Sequence, residues 1–300
     1  MPSLLTIDDL DDETLRHLVR RGAAFSAGAS APDALADKLI GIYFRKTSTR
    51  TRTAFTAGAV RLGAKIITYG PNDLQENTGE TAEDTAAVLS GMLDVLVART
   101  AGPQAELEAY AAQGRMAVVN AMSADEHPTQ ALTDLTTLHR RFGDVDGLRV
   151  LYVGEGNNTA SALALALSRF RGAELHLRTP YGYGLHPRFL HAAELRAKHA
   201  GGTVVERHDM RDLPGVDVVY TSRWQTTGTS KPDPDWRTTF APFQVTEAVL
   251  GDAAVFMHDL PAHRGEEVTA EVLDGARSIA FAQAENKYHS ARAVLEWCAA

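Results

Sequence analysis

Eight short apolar runs recur along the chain: Leu39–Phe44 (LIGIYF), Lys65–Tyr69 (KIITY), Val95–Ala98 (VLVA), Ala117–Asn120 (AVVN), Arg149–Val153 (RVLYV), Glu174–Leu177 (ELHL), Val216–Tyr220 (VDVVY) and Ala254–Met257 (AVFM). Between them the period changes to that of a helix. Phe55, Ala59 and Leu62 share one helical face. Glu80–Met92 opens with Glu80, Glu83 and Asp84, acids that suit a helix N-terminus, and Pro128–Phe142 lines up Leu132, Leu135 and Leu138. Near-continuous apolar runs separated by helices predict parallel strands covered on both faces, an α/β fold. Turn residues at Arg141–Gly147 (RFGDVDG) mark a boundary. The expected organisation is two doubly wound parallel-sheet domains with a cleft between them: residues 1–143, with a C-terminal helix of about 284–300 packing back on it, and residues 144–283. The first and last helical residues expected in that final segment are Ala284 and Trp297.

Ligands of open α/β sheets bind outside the carboxyl ends of the strands. Six polar clusters occupy that position: KTSTRTRT after LIGIYF, Arg99-Thr100 after VLVA, AMSADEHPTQ after AVVN, GEGNNT after LYV, TSRWQTTG after DVVY and HDLPAHRGEE after VFM. Their convergence on one cleft is the first functional expectation.

Composition narrows the classes. With 30 Lys+Arg against 38 Asp+Glu the net charge is -8, and no basic tract is long enough to follow a nucleic-acid backbone. The lone cysteine, Cys298, cannot form an internal bridge, which fits a reducing compartment. The first residues, MPSLLTIDDLDDETL, turn acidic where a signal peptide continues apolar, and no run reaches membrane-spanning length. A cytoplasmic location, away from membranes and nucleic acid, is the expectation.

Against that acidity, Phe44–Thr53 (FRKTSTRTRT) places four cations and five hydroxyls in ten residues. A helix beginning near Ser48 would leave backbone N–H groups and the positive end of its dipole facing the strand end, with Arg forks beside them: an anion pocket. The bland alternative is a Ser/Thr cap with solvated arginines. No Gly-rich loop or Gly-Lys-Ser/Thr makes it a Walker motif.

Ser48-x-Arg50-Thr51-Arg52 after an apolar strand, joined to His127-Pro128-Thr129-Gln130, resembles the aspartate/ornithine carbamoyltransferase family. The resemblance extends through Gly79-Glu80-Thr81, Asp84-Thr85, Arg99, Asn157-Asn158, His258 with Leu260-Pro261, and Glu285-Asn286. It implies that Ser48, Thr49, Arg50 and Thr51 hold the phosphate of carbamoyl phosphate, that Arg99, His127 and Gln130 hold its carbamoyl end, and that Leu260 and Lys287 belong to the same site. Lys287 stands where most relatives carry arginine; it keeps the charge and loses the fork, or it is only surface charge. No metal or organic cofactor is implied. The family's homotrimers imply a Leu74–Gly79 loop that reaches a neighbour's site.

The loop Gly154–Thr159 (GEGNNT) lacks the third glycine of a dinucleotide fingerprint, and Arg178 ends the next strand where an acid would grip a ribose. The family uses an asparagine of this loop for the acceptor, and Asn158 is the candidate. Ornithine members typically read Asp-x-x-x-Ser-Met-Gly and His-Cys-Leu-Pro; this chain reads Ser222-Arg223-Trp224-Gln225-Thr226-Thr227-Gly228 and His258-Asp259-Leu260-Pro261. Tyr220-x-Ser222-Arg223-x-Gln225 is closer to the aspartate branch, whose arginine grips a carboxylate, yet Thr78 replaces that branch's lysine. Arg223 offers a carboxylate clamp. Asp259 offers a counter-ion for an ammonium and a proton acceptor, with a helix cap or a partner for His258 or His263 as its bland alternative. The acceptor expected is an amino acid other than plain ornithine, such as a short diamino acid. An aspartate or ornithine enzyme with unusual acceptor residues and a non-catalytic binding homologue stay open. His258, His263, Glu266 and Glu267 lack established metal-ligand spacing.

Overall fold

The computed structural model describes residues 1–226 and 229–300. Its chain divides into two compact units, Met1–Arg141 with Glu285–Ala300, and Phe142–Ala284. The first contains α1 (Asp12–Ser26), β1 (Leu39–Phe44), α2 (Arg50–Arg61), β2 (Lys65–Tyr69), α3 (Ala82–Leu89), β3 (Val95–Arg99), α4 (Gln104–Ala111), β4 (Ala117–Asn120) and α5 (Pro128–Phe142). The second contains β5 (Arg149–Val153), α6 (Asn158–Leu167), β6 (Glu174–Arg178), α7 (Pro187–His199), β7 (Thr203–Arg207), β8 (Val218–Thr221), α8 (Trp236–Phe240), α9 (Glu247–Leu250), β9 (Val255–His258) and α10 (Ala270–Leu273). The last helix, α11 (Ala280–Cys298), starts in the second unit and runs on into the first.

Both sheets are wholly parallel, in the orders β2-β1-β3-β4 and β7-β6-β5-β8-β9. Each order reverses once, between β1 and β3 and between β5 and β8, and a doubly wound sheet opens a crevice at such a point. The apolar runs become strands because both faces are covered. β3 and β4 are buried throughout, and so are all ten residues of α6, most of which are Ala or Leu.

Three departures from the sequence pattern have clear causes. β7 carries one well-buried residue, Val204, because it is an edge strand, so its apolar signal is faint. α3 begins at Ala82 rather than Glu80 because Thr81 takes the cap and accepts the Asp84 N–H at 3.1 Å; Glu80 stays outside and receives the Thr85 hydroxyl at 2.6 Å. α2 begins at Arg50 rather than near Ser48, with Thr49 as a cap whose side chain bonds no helix amide. Among the described residues no helix is long and apolar enough to cross a membrane.

Candidate active site

In the first unit, the loop leaving β1 carries Ser48 and Thr49 to the start of α2. The amides of its first turn point out of the helix end, and the side chain of its N-cap, Thr49, bonds none of them. Arg99, the last residue of the neighbouring β3, is buried and reaches Ser48 Oγ with Nη1 at 3.5 Å. The sheet's reversal between β1 and β3 therefore brings Ser48, Thr49, Arg50, Thr51 and Arg99 to one strand end.

His127 precedes α5 and is buried, with Nδ1 3.2 Å from Thr129 Oγ1. Burial, with lesser pushes from Lys287 and Arg99, holds its imidazole well below the ordinary histidine range, so it is neutral at physiological pH. Thr51, Ala54, Phe55, His127, Thr133 and Lys287 are among the residues lining one small cavity. Lys287 is 7% exposed and donates to Gln130 Oε1, so it is an interior cation and not surface charge. Gln130 in turn donates Nε2 to Asp134 Oδ1 at 2.7 Å, which fixes the direction of its amide.

The supporting contacts around these residues escaped the sequence reading. Arg45, counted there among the pocket's cations, is committed elsewhere: Nη2 meets Glu106 Oε2 at 2.5 Å, Nη1 stands 3.9 Å from Glu76, and Nε bonds the Thr100 carbonyl at 3.3 Å. It braces the strand-end loops. Glu126, beside His127, is 3% exposed and accepts the Ile7 N–H at 3.2 Å. Asp134 sits four residues after Gln130, a helical spacing that was available as a signal.

In the second unit the loops after β5 and β8 meet at the other reversal. Asn157 caps α6, accepting the Thr159 and Ala160 amides at 3.1 Å each, and donates Nδ2 to Ser222 Oγ at 3.0 Å. Tyr152 OH lies 2.6 Å from the same oxygen. Ser222 is thus enclosed and its hydroxyl serves the framework. Asn158 opens α6 and is buried. Asp259 Oδ2 accepts the Thr159 hydroxyl at 3.0 Å, next in chain to Asn158. Asp259 Oδ1 also stands 3.4 Å from His258 Nδ1, a contact in which that nitrogen is not the donor. Nδ1 of that ring takes the Leu260 N–H at 2.8 Å, which leaves the ring proton on Nε2, 3.2 Å from Glu267. Leu260 has φ 54° and a cis bond to Pro261.

Arg223 follows β8. Its Nε is buried without a partner, and no described residue pairs with its guanidinium. Gln225 donates to the Thr229 carbonyl at 2.6 Å. Thr227 and Gly228, the end of that polar run, lie outside the described residues. Among the described residues no group of three or more His, Cys, Asp and Glu side chains is placed to hold a metal ion.

Two family profiles match in succession. "Aspartate/ornithine carbamoyltransferase, carbamoyl-P binding domain" covers residues 3–140, and "Aspartate/ornithine carbamoyltransferase, Asp/Orn binding domain" covers residues 146–298. The ornithine carbamoyltransferase of Nitrosococcus oceani is 37% identical over 302 residues, covering 99% of this chain and 97% of that one. The Mycolicibacterium gilvum ornithine carbamoyltransferase is 41% identical over 263 residues, with 86% and 85% covered. Among solved structures, the ornithine carbamoyltransferase of Pyrococcus furiosus superposes with a TM-score of 0.91 at 35% identity, covering 98% of this chain and 95% of that one.

Proposed function

Because the chain belongs to the aspartate/ornithine carbamoyltransferase family, we propose that it moves the carbamoyl group of carbamoyl phosphate to an amine of an amino-acid acceptor. The neutral amine attacks the carbonyl carbon and the C–N bond forms. The bond from that carbon to the phosphate oxygen breaks, and the amine's proton leaves with the phosphate. Negative charge grows on the carbonyl oxygen, where the Thr51 hydroxyl, Arg99 and a neutral His127 are the donors. Ser48, Thr49, Arg50 and the first-turn amides of α2 take the phosphate. Gln130, with Lys287 behind it, and Leu260 complete the donor's contacts.

The observation that carries this reading is the N-terminus of α2, whose cap side chain bonds no helix amide, beside Ser48 and Arg99 at a sheet reversal. In the proposed division of labour the first unit takes the donor and the second the acceptor. Asn158, Ser222, Arg223, Gln225 and Asp259 are the acceptor residues, with Ser222 acting through Asn157. Arg223, with no acidic partner among the described residues, grips a carboxylate. Asp259 faces an ammonium and orients or receives its proton. That pair of charges favours a short diamino acid over plain ornithine.

A second reading has its own support: the relatives compared above are named ornithine carbamoyltransferases, which favours ornithine as acceptor through altered contacts. The assay supplies carbamoyl phosphate with aspartate, ornithine, lysine and 2,3-diaminopropionate and measures ureido product and phosphate. A diamino acid other than ornithine as best substrate is the expected outcome. Ornithine as best substrate establishes the second reading, and tight carbamoyl phosphate binding without any turnover overturns both. We also propose a cytoplasmic homotrimer whose Leu74–Gly79 loop reaches a neighbour; sedimentation tests the stoichiometry.

A further inference from the structure

The second unit holds a cation that the scheme above does not use. Lys231 follows the polar run after β8, and its side chain is 4% exposed. It pairs with Glu155, the residue between Gly154 and Gly156 in the loop after β5. Three rings close around the ammonium: the centroids of Tyr183 and Phe240 are 4.7 Å from Nζ, and that of Trp236 is 5.5 Å away. Trp224, the neighbour of Arg223 in the chain, packs on the same rings, 5.6 Å from Phe240 and 6.5 Å from Trp236.

The other wall of this box is fixed by backbone. Gly156 donates its N–H to the Tyr183 carbonyl at 2.8 Å, and a Cβ on Gly156 would lie 2.3 Å from backbone atoms of Gly184 and Leu185. The turn bearing Tyr183 is therefore set against the β5 loop. A buried ammonium is costly unless paired, and one carboxylate with several ring faces is a site that holds an organic cation. Glu155 Oε2 is buried and has no hydrogen-bond partner, so the carboxylate depends on this one cation.

We infer that Lys231 is a positioning residue for the acceptor: its ammonium ties the loop carrying Arg223 and Gln225 to the loop carrying Asn158. The two halves of the acceptor site then have a fixed register before the acceptor arrives. This rests on the assignment of Arg223 and Asn158 to the acceptor.

The test uses the full-length enzyme and its best acceptor. Lys231→Met should raise the acceptor KM about tenfold or more, as small misplacements of binding groups do, and leave the carbamoyl phosphate KM within about twofold. Glu155→Gln should do the same, and the double variant should be no worse than the worse single, because both remove one interaction. Lys231→Arg keeps the cation and should stay near wild type, which keeps the test informative if Lys231→Met fails to fold. Butylammonium should restore acceptor affinity to Lys231→Ala, and butanol should not. Wild-type turnover with an unmoved acceptor KM in Lys231→Met, or additive losses in the double variant, overturns this inference and leaves carbamoyl transfer standing. Absence of turnover by the wild type removes both.

Discussion

Glu126 gives the sharpest prediction about stability, because a carboxyl group beside the candidate site is held away from water by its own fold. It is 3% exposed, and its recorded contact is the Ile7 N–H at 3.2 Å. Burial is the main cause that pushes its pKa up to about 8, the Ile7 amide opposes it, and Asp8, Asp9 and Asp125 push further upward. At pH 7 the folded protein therefore keeps a proton on Glu126 that the unfolded chain, titrating near 4.5, has lost. The folded-state pKa is the raised one. Its contribution to stability is complete below about pH 4.5, declines as the pH rises, and is gone above about pH 8. At about 1.4 kcal/mol per unit, a shift of this size is worth on the order of 3–5 kcal/mol between those limits. Glu126→Gln keeps the shape and the acceptor for Ile7 but cannot ionise, so its stability should not fall through that window. Urea midpoints at pH 5, 6, 7 and 8 should show the variant gaining on the wild type as pH rises, read from Trp297, the one tryptophan of the first unit, in a background with Trp224 and Trp236 changed to Phe. Parallel curves for the two proteins would show that Glu126 is ionised in the fold and would refute the reasoning.

Three other expectations follow from the geometry. Arg50→Ala should lower turnover by a factor of about a hundred to a thousand, with the melting temperature nearly unchanged, because a half-exposed fork at a helix start contributes little to packing; steady-state rates and calorimetry check it. Asp259→Ala should change acceptor preference or rate while carbamoyl phosphate affinity, by titration calorimetry, stays close to wild type. Gly156→Ala should destabilise the protein by about 1–3 kcal/mol and weaken acceptor binding, because the new methyl meets backbone rather than a movable side chain; an unaltered melting curve would count against the close approach.

The strands were legible because parallel strands covered on both faces need unbroken apolar runs, and eight of them had one. The ninth, β7, sits at an edge with Val204 alone well buried, and its sequence says little. The candidate donor residues stand out in the sequence as short motifs whose members lie near one another in the chain or at strand ends. Their supports do not. Arg45 finds Glu106 across 61 positions and Lys231 finds Glu155 across 76, and no local period records such pairs. Lys287 looked as much like surface charge as like a ligand until α11 placed it against Gln130 inside the first unit. Ser222 stands in a local motif, but its contacts with Asn157 and Tyr152 join positions 65 and 70 residues apart and left no local signal.

The two candidate sites differ in what they are made of, and this explains why one is so much easier to read. The donor site of the first unit is built largely from backbone: an open helix end at the point where a sheet reverses, with a buried arginine from the adjacent strand. Such a site tolerates few residue types, because the hydroxyls and forks must meet a helix terminus of fixed geometry, and the motif survives as a word. The acceptor region of the second unit is built from side chains on loops, where one set of pairings can replace another while Asn157, Tyr152 and the Gly156 contact hold the frame. A substitution such as Asp259 can therefore be accommodated there without cost to the sheet. Specificity can change in the second unit while the first remains recognisable, and the acceptor has to be found by testing amines.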